Sequence, residues 1–160
     1  MSNMKKVLFP GSFDPFTIGH EQVVNAALRM DLSVVICFMI NPKKERMFPV
    51  DDEMLHAVDK IWGEDDRIVV TKYDLNQSTF CEINNIDTII RGVRNFTDFE
   101  YEKTMADYHH KFFGLNTILV PTTTTISSTM IRELYKLGEF EAMLDGGISR
   151  PIYDNIINKI

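Results

Sequence analysis

No stretch of this chain approaches the ~18 consecutive apolar residues of a membrane-spanning helix. The N-terminus has two lysines and then only a very short apolar run, which does not read as a signal peptide. Residues 1–3 are expected to carry no structure, and Met4 is an alternative start. Positive charge is also scarce. Seventeen Lys and Arg stand against 23 Asp and Glu, a net charge of −6. A general nucleic-acid binder would need a basic face, so nucleic acid is not an expected partner, and neither is a membrane. There are only two cysteines. Cys37 and Cys81 lack metal-ligand spacing and have apolar neighbours, so they read as buried thiols in a reducing compartment. Cytoplasmic is the expected location. The chain has no glycine-rich loop ending in Lys-Ser or Lys-Thr and no Gly-x-Gly-x-x-Gly, which excludes a P-loop and a standard dinucleotide fingerprint. No nucleophile–base pair is evident. That leaves open chemistry in which positioning and charge stabilisation do most of the work. There is no repeat and no low-complexity linker. With 160 residues, 44% of them apolar, one domain spanning 1–160 is expected, with a sizeable core.

What is present is a regular alternation of strand and helix. Apolar runs predict strands at 6–9, 32–40, 67–73, 88–91 and 117–121. The second is nearly all apolar, as in the middle of a parallel sheet. Between them lie helical patterns. One runs over 19–30. One is capped by Asp51, with Met54, Leu55, Val58 and Ile61 inward. A short one covers 79–85. A fourth starts from Thr97 and Glu100 at capping-box spacing and ends at Gly114. A fifth opens at Ser127 with Met130, Ile131, Leu134 and Leu137 inward, and a last one starts near Pro151 and carries Ile152, Ile156, Ile157 and Ile160. The pattern predicts an α/β fold: one Rossmann-like, doubly wound domain with a five-stranded parallel sheet.

In such a sheet a ligand binds beyond the C-terminal strand ends, at the switch point in strand order. After the first strand come Gly11, Ser12, Asp14 and then His20 at a helix N-terminus, where the helix dipole favours an anion. The same position lowers the pKa of the imidazole, which favours a neutral donor. After the second strand come Lys43, Lys44 and Arg46, and after the fourth Arg91 and Arg94. After the fifth come four threonines, then Ser127, Ser128 and Thr129. Together these make a polyphosphate site by charge and geometry. Each piece also has a plainer reading. His20 is then a helix cap, the lysines a solvated loop, Arg91 the partner of Asp98 or Glu102, and Ser127 an ordinary N-cap. His56, His109 and His110 read as surface or packing residues, and Glu53 and Asp59 as a solvated helix face.

Gly11-Ser12-Phe13-Asp14-Pro15-Phe16-Thr17-Ile18-Gly19-His20 resembles the signature of the Thr/His-x-Gly-His nucleotidyltransferases. Arg91-Gly92-Val93-Arg94 with Asp98-Phe99-Glu100-Tyr101-Glu102, and then Ile126-Ser127-Ser128-Thr129, narrow the resemblance to the bacterial phosphopantetheine adenylyltransferases. It extends from Lys6 to the last helix. It implies transfer of the adenylyl group of ATP to 4′-phosphopantetheine, giving dephospho-coenzyme A and pyrophosphate. By position, it implies that Ser12, Lys44 and Arg91 hold the acceptor phosphate and that Asn76 lies along the pantetheine arm. Ser12, Phe13, His20, Gly92, Val93, Arg94 and Glu102 would contact ATP, and Ser127, Ser128 and Thr129 its outer phosphates. His20, Lys44 and Arg91 would carry catalysis. The resemblance also implies Mg2+ held largely by nucleotide phosphates, with no protein ligand, and a homo-oligomer, typically a hexamer. Two features depart from the family. The threonine loop 122–125 stands where a longer segment with an aromatic is usual, and Asn76 stands where an apolar residue is usual. Two other readings remain open on the residues. One is a related nucleotidyltransferase with another acceptor, which the stretch from Arg91 to Glu102 opposes. The other is a nucleotide-binding module without turnover, which the threonine loop favours and His20, Lys44 and Arg91 oppose.

Overall fold

Five strands and seven helices alternate along the chain in the computed structural model, which describes residues 4–123 and 125–160. In order they are β1 (Lys6–Gly11), α1 (Ile18–Arg29), β2 (Ser33–Met39), α2 (Asp52–Lys60), β3 (Ile68–Tyr73), α3 (Gln77–Ile83), β4 (Thr88–Val93), α4 (Phe96–Phe113), β5 (Asn116–Pro121), α5 (Ser128–Lys136), α6 (Phe140–Leu144) and α7 (Arg150–Ile157). Expectations for residues 1–3, and for the part of the threonine loop at Thr124, lie outside the described residues.

The strands form one parallel sheet in the order β3-β2-β1-β4-β5, bearing out the expected α/β class. Both faces are covered, and the side-chain period of two divides each central strand between them. Val7 and Phe9 of β1, with Val34, Ile36 and Phe38 of β2, join the larger core cluster together with residues of α1, α2, α5 and α7. Leu8, Val35 and Cys37 point the other way, into a smaller cluster with Phe80, Cys81, Ile86 and Leu115. Both cysteines are buried and free, as expected; burial pushes the Cys37 thiol up to about 12 and that of Cys81 to about 11. From β1 the chain moves outward through β2 to β3, then returns to the other side of β1 as β4. The switch point is therefore between β1 and β4. It opens a crevice beyond their C-terminal ends.

Several local expectations are corrected. The helix after β4 is not started by a Thr97–Glu100 capping box. Asn95 is its N-cap, accepting from the Asp98 amide at 2.9 Å. The short third helix begins at Gln77 with Asn76 as its cap. Strand β4 runs two residues further than expected, so Arg91 and Gly92 lie inside it. On α5 only Ile131 is fully inward, whereas Met130 and Leu137 are exposed, and so is Ile160 at the chain end. The five-residue α6, which buries Met143, is too short to show a helical period in the sequence. The Asp51 cap of α2, the Ser127 cap of α5 and the left-handed Gly114 ending α4 are as expected.

Candidate active site

The loop between β1 and α1 is held by partners far away in sequence. The Asp14 carboxylate accepts from the amides of Met47 at 2.9 Å and Phe48 at 2.8 Å. Arg46 donates back to the carbonyls of Ser12, at 2.8 Å, and Phe13, at 3.0 Å. The expected cation cluster therefore divides: Arg46 fastens two loops, while Lys44 lines a cleft. Phe13 is buried with a backbone φ of 46°, in the left-handed region that costs a bulky residue energy. Its ring packs edge-on against Phe9, Phe16 and Phe38.

His20 is the third residue of α1, whose N-cap is Thr17. Its Nδ1 accepts from the Thr17 amide at 2.8 Å. The acceptor role places the ring proton on Nε2 and leaves that nitrogen as a donor. The ring is caged by Phe13, Phe16 and Phe9, with the Phe13 centroid 4.9 Å away. Burial, then the charges of Arg91 and Arg94, lower its pKa from 6.5 to about 3. The sequence-based direction holds, but burial is the leading cause. A neutral imidazole is thus fixed in orientation with one N–H free.

Arg91 does pair with a carboxylate, and the partner is Glu102. Its Nη2 lies 2.8 Å and its Nε 3.0–3.1 Å from the Glu102 oxygens, and Nη1 donates to the Pro10 carbonyl. The Glu102 side chain is only 9% exposed, so this guanidinium is clamped between β1 and α4. Arg94 pairs with Asp98 at 3.0 Å, and that guanidinium holds the Asp98 carboxyl below the usual range. At the start of α5 the three hydroxyls of Ser127, Ser128 and Thr129 are engaged. Ser127 accepts from the Met130 amide, Ser128 donates to the Pro15 carbonyl, and Thr129 accepts from Arg132. What this helix start offers an anion is its backbone: no acceptor among the described residues faces the amides of Ser128 and Thr129.

Two clefts open at the switch point. The first, of about 580 Å³, is lined by His20, Arg94, Glu102 and the α5 start from Ser127 to Thr129. The second, of about 680 Å³, carries Lys44 and a run of apolar side chains, Met39, Ile40, Leu75, Met105, Tyr108 and Phe113. They share Gly11, Ser12 and Arg91. Residues 8–134 match the cytidylyltransferase-like family. The phosphopantetheine adenylyltransferase of Phocaeicola vulgatus is 42% identical over 139 residues, which cover 85% of this chain and 91% of that protein. That of Bacteroides fragilis is 41% identical, covering 82% and 89%, and that of Oenococcus oeni 31%, covering 98% and 97%.

This chain belongs to the phosphopantetheine adenylyltransferase family.

Within the family pattern, most of the expected residues converge. Ser12, Phe13, His20, Gly92, Arg94, Glu102, Ser127, Ser128 and Thr129 line the first cleft, Lys44 and Asn76 the second, and Ser12 and Arg91 both. Val93 lines neither; it sits in β4 opposite Pro121. Gly92 has a packing reason to be glycine, since a Cβ there would lie 2.8 Å from Val23 Cγ2. The Asn76 side-chain Oδ1 is occupied by the cap, accepting from the Thr79 amide at 2.8 Å and from the hydroxyls of Ser78 and Thr79. Arg132 was not anticipated. It donates to the Asp14 carbonyl at 2.8 Å, tying α5 to the first loop. Its position one helical turn after Ser128 was the available signal. His109 is buried and lines the second cleft with Gln77, 3.0 Å away, whereas His56 and His110 are exposed. Nucleotidyltransferases of this kind generally take a divalent metal with the nucleotide. Asp98 and Glu102, the carboxylates at the first cleft, already engage Arg94 and Arg91, and no group of three or more His, Cys, Asp or Glu suited to a metal occurs among the described residues. This arrangement fits a metal carried by nucleotide phosphates rather than by side chains. No helix among the described residues is long and apolar enough to cross a membrane.

Proposed function

We propose that this chain transfers the adenylyl group of ATP to 4′-phosphopantetheine, and that residues 1–160 form one nucleotidyltransferase domain working in the cytoplasm. The observation that carries the reading is the meeting of two clefts at Ser12 and Arg91. One has the features of a polyphosphate site. The other carries a lysine and a set of apolar side chains beside polar ones such as Asn41, Asn76 and Gln77, which suits a pantetheine arm with its amides and its terminal phosphate. ATP lies in the first cleft, its outer phosphates on the amides of Ser128 and Thr129. No side chain is assigned to Mg2+, which would enter with the nucleotide and would supply partial neutralisation of the phosphate charge. Lys44, Ser12 and Arg91 hold the acceptor phosphate in line with the α-phosphorus. An acceptor phosphate oxygen forms the new P–O bond as the bond to the pyrophosphate oxygen breaks. Dephospho-coenzyme A and pyrophosphate result. His20 donates its Nε2 proton as a hydrogen bond to the charge that develops on the α-phosphoryl oxygens. Gly92 and Glu102 act by packing and by holding Arg91, and Asn76 borders the arm.

The test is incubation with ATP, Mg2+ and each of three acceptors, followed by product analysis. Dephospho-coenzyme A is expected from phosphopantetheine, and no product from glycerol phosphate or nicotinamide mononucleotide. Product from either of those two but none from phosphopantetheine would overturn the reading.

The assembly is proposed to be a homo-oligomer, and specifically a homohexamer. Support comes from α4, where Phe96, Phe99, Tyr101, Tyr108, Phe112 and Phe113 are all exposed, with Phe96 at 71%. So many aromatics on one helix exceed scattered surface exposure. Sedimentation should give a mass several times 18.5 kDa. A monomer at every concentration tried would remove the proposal.

A further inference from the structure

The connection from β5 to α5 is short, and its two ends are fixed. At one end the Thr122 amide donates to the Val93 carbonyl at 2.9 Å and prolongs the strand pairing. At the other, Ser127 caps α5. Between them, Thr122 and Ile126 form part of the wall of the first cleft. Thr123 is exposed. It is instead gripped by a side chain from α1. Gln22 Oε1 accepts from the Thr123 amide at 2.9 Å, and Gln22 Nε2 donates to Thr123 Oγ1 at 3.3 Å. Gln22 lies two residues after His20 on the same helix, and the neighbouring Val23 lines the cleft too. The helix that presents His20 therefore also anchors the loop opposite.

We propose that Gln22 is a positioning residue for the nucleotide cleft: its side-chain amide holds Thr123 by both hydrogen-bonding groups and thereby sets the wall formed by Thr122 and Ile126. The physical reason is entropic. Ile126 is held by the core, but Thr123 is exposed and gains little order from burial, so binding a nucleotide against the adjoining wall would have to order it at the same time. A two-point amide clamp orders it beforehand. The inference rests on the reading of the first cleft as the ATP site.

Two variants test it. Gln22→Met keeps the length and volume but neither accepts nor donates. Gln22→Glu still accepts from the Thr123 amide, and the Thr123 hydroxyl can turn to donate to it. In the protein without nucleotide, hydrogen exchange of the Thr123 amide should accelerate in Gln22→Met and return towards the wild-type rate in Gln22→Glu. The KM for ATP should rise about fivefold in Gln22→Met, on the scale of one net hydrogen bond, while kcat falls by less than about twofold. Gln22→Glu should recover most of that loss. Unchanged exchange or an unchanged KM in Gln22→Met overturns the inference. So do equal losses in both variants accompanied by a lowered Tm, which would make Gln22 merely structural. Failure of the wild-type protein to bind ATP at all would overturn the functional reading itself, and this inference with it.

Discussion

Arg91→Lys should lose at least about 30-fold in kcat/KM, the lower end of the roughly 2–5 kcal/mol that follows truncation of a buried, hydrogen-bonded charge pair. The geometry explains why a conservative change is costly. The guanidinium meets Glu102 through Nε and Nη2 and the Pro10 carbonyl through Nη1, while facing both clefts at their junction. A lysine ammonium is a point charge and cannot serve these directions at once. Removing the charge altogether adds a second effect. In Arg91→Ala the Glu102 carboxylate is left buried without a partner, which costs about 3–5 kcal/mol of stability. Pairing Arg91→Ala with Glu102→Gln should restore much of the Tm and none of the turnover. That separates the structural half of this residue from the catalytic half. Full activity of a folded Arg91→Lys enzyme would mean that Arg91 only braces the strand.

His20→Ala should cut kcat by at least ~10²-fold, the scale of one lost oxyanion donor, with the KM for ATP little changed. The donor is prepared before substrate arrives, because the Thr17 amide fixes the tautomer and the phenylalanine cage fixes the ring. Its pKa of about 3 keeps it neutral across the working range, so kcat should show no acidic limb near pH 6.5 from this group. Its effect on stability has a definite sign. As pH falls from 6.5 towards 3 the unfolded chain binds a proton that the folded chain refuses, so His20's contribution to stability declines through that window and is complete above it. A kcat that follows an ionisation near 6.5 and loses it in His20→Ala would overturn the neutral-donor assignment. An unchanged kcat with lowered thermal stability would leave His20 as a helix cap.

Much of this protein is legible in the linear chain. Strand positions follow from apolar runs, and the interior strand β2, buried on both faces, could only read as continuous hydrophobicity. Helix caps at Asp51 and Ser127 follow from local hydrogen-bonding chemistry. The placement of Ser12, His20, Lys44 and Ser127 beyond strand ends, with Arg91 near the end of β4, follows from strand–helix alternation, since parallel strands bring every such loop to one edge. Only the tertiary structure decided which of two chemically equivalent partners each group takes. Asp98 and Glu102 were alternatives for Arg91 until the packing of α4 put Glu102 there and gave Asp98 to Arg94. Arg46 and Lys44 looked alike as loop cations until the Ser12 and Phe13 carbonyls claimed the guanidinium. Asn95 displaced Thr97 as the cap of α4, and Gln22 found Thr123 across 101 residues of chain. Periodicity and capping are short-range and depend on neighbours in sequence, so they are written in it. Pairing between loops depends on distances set by the sheet, and these exist only once the core has closed.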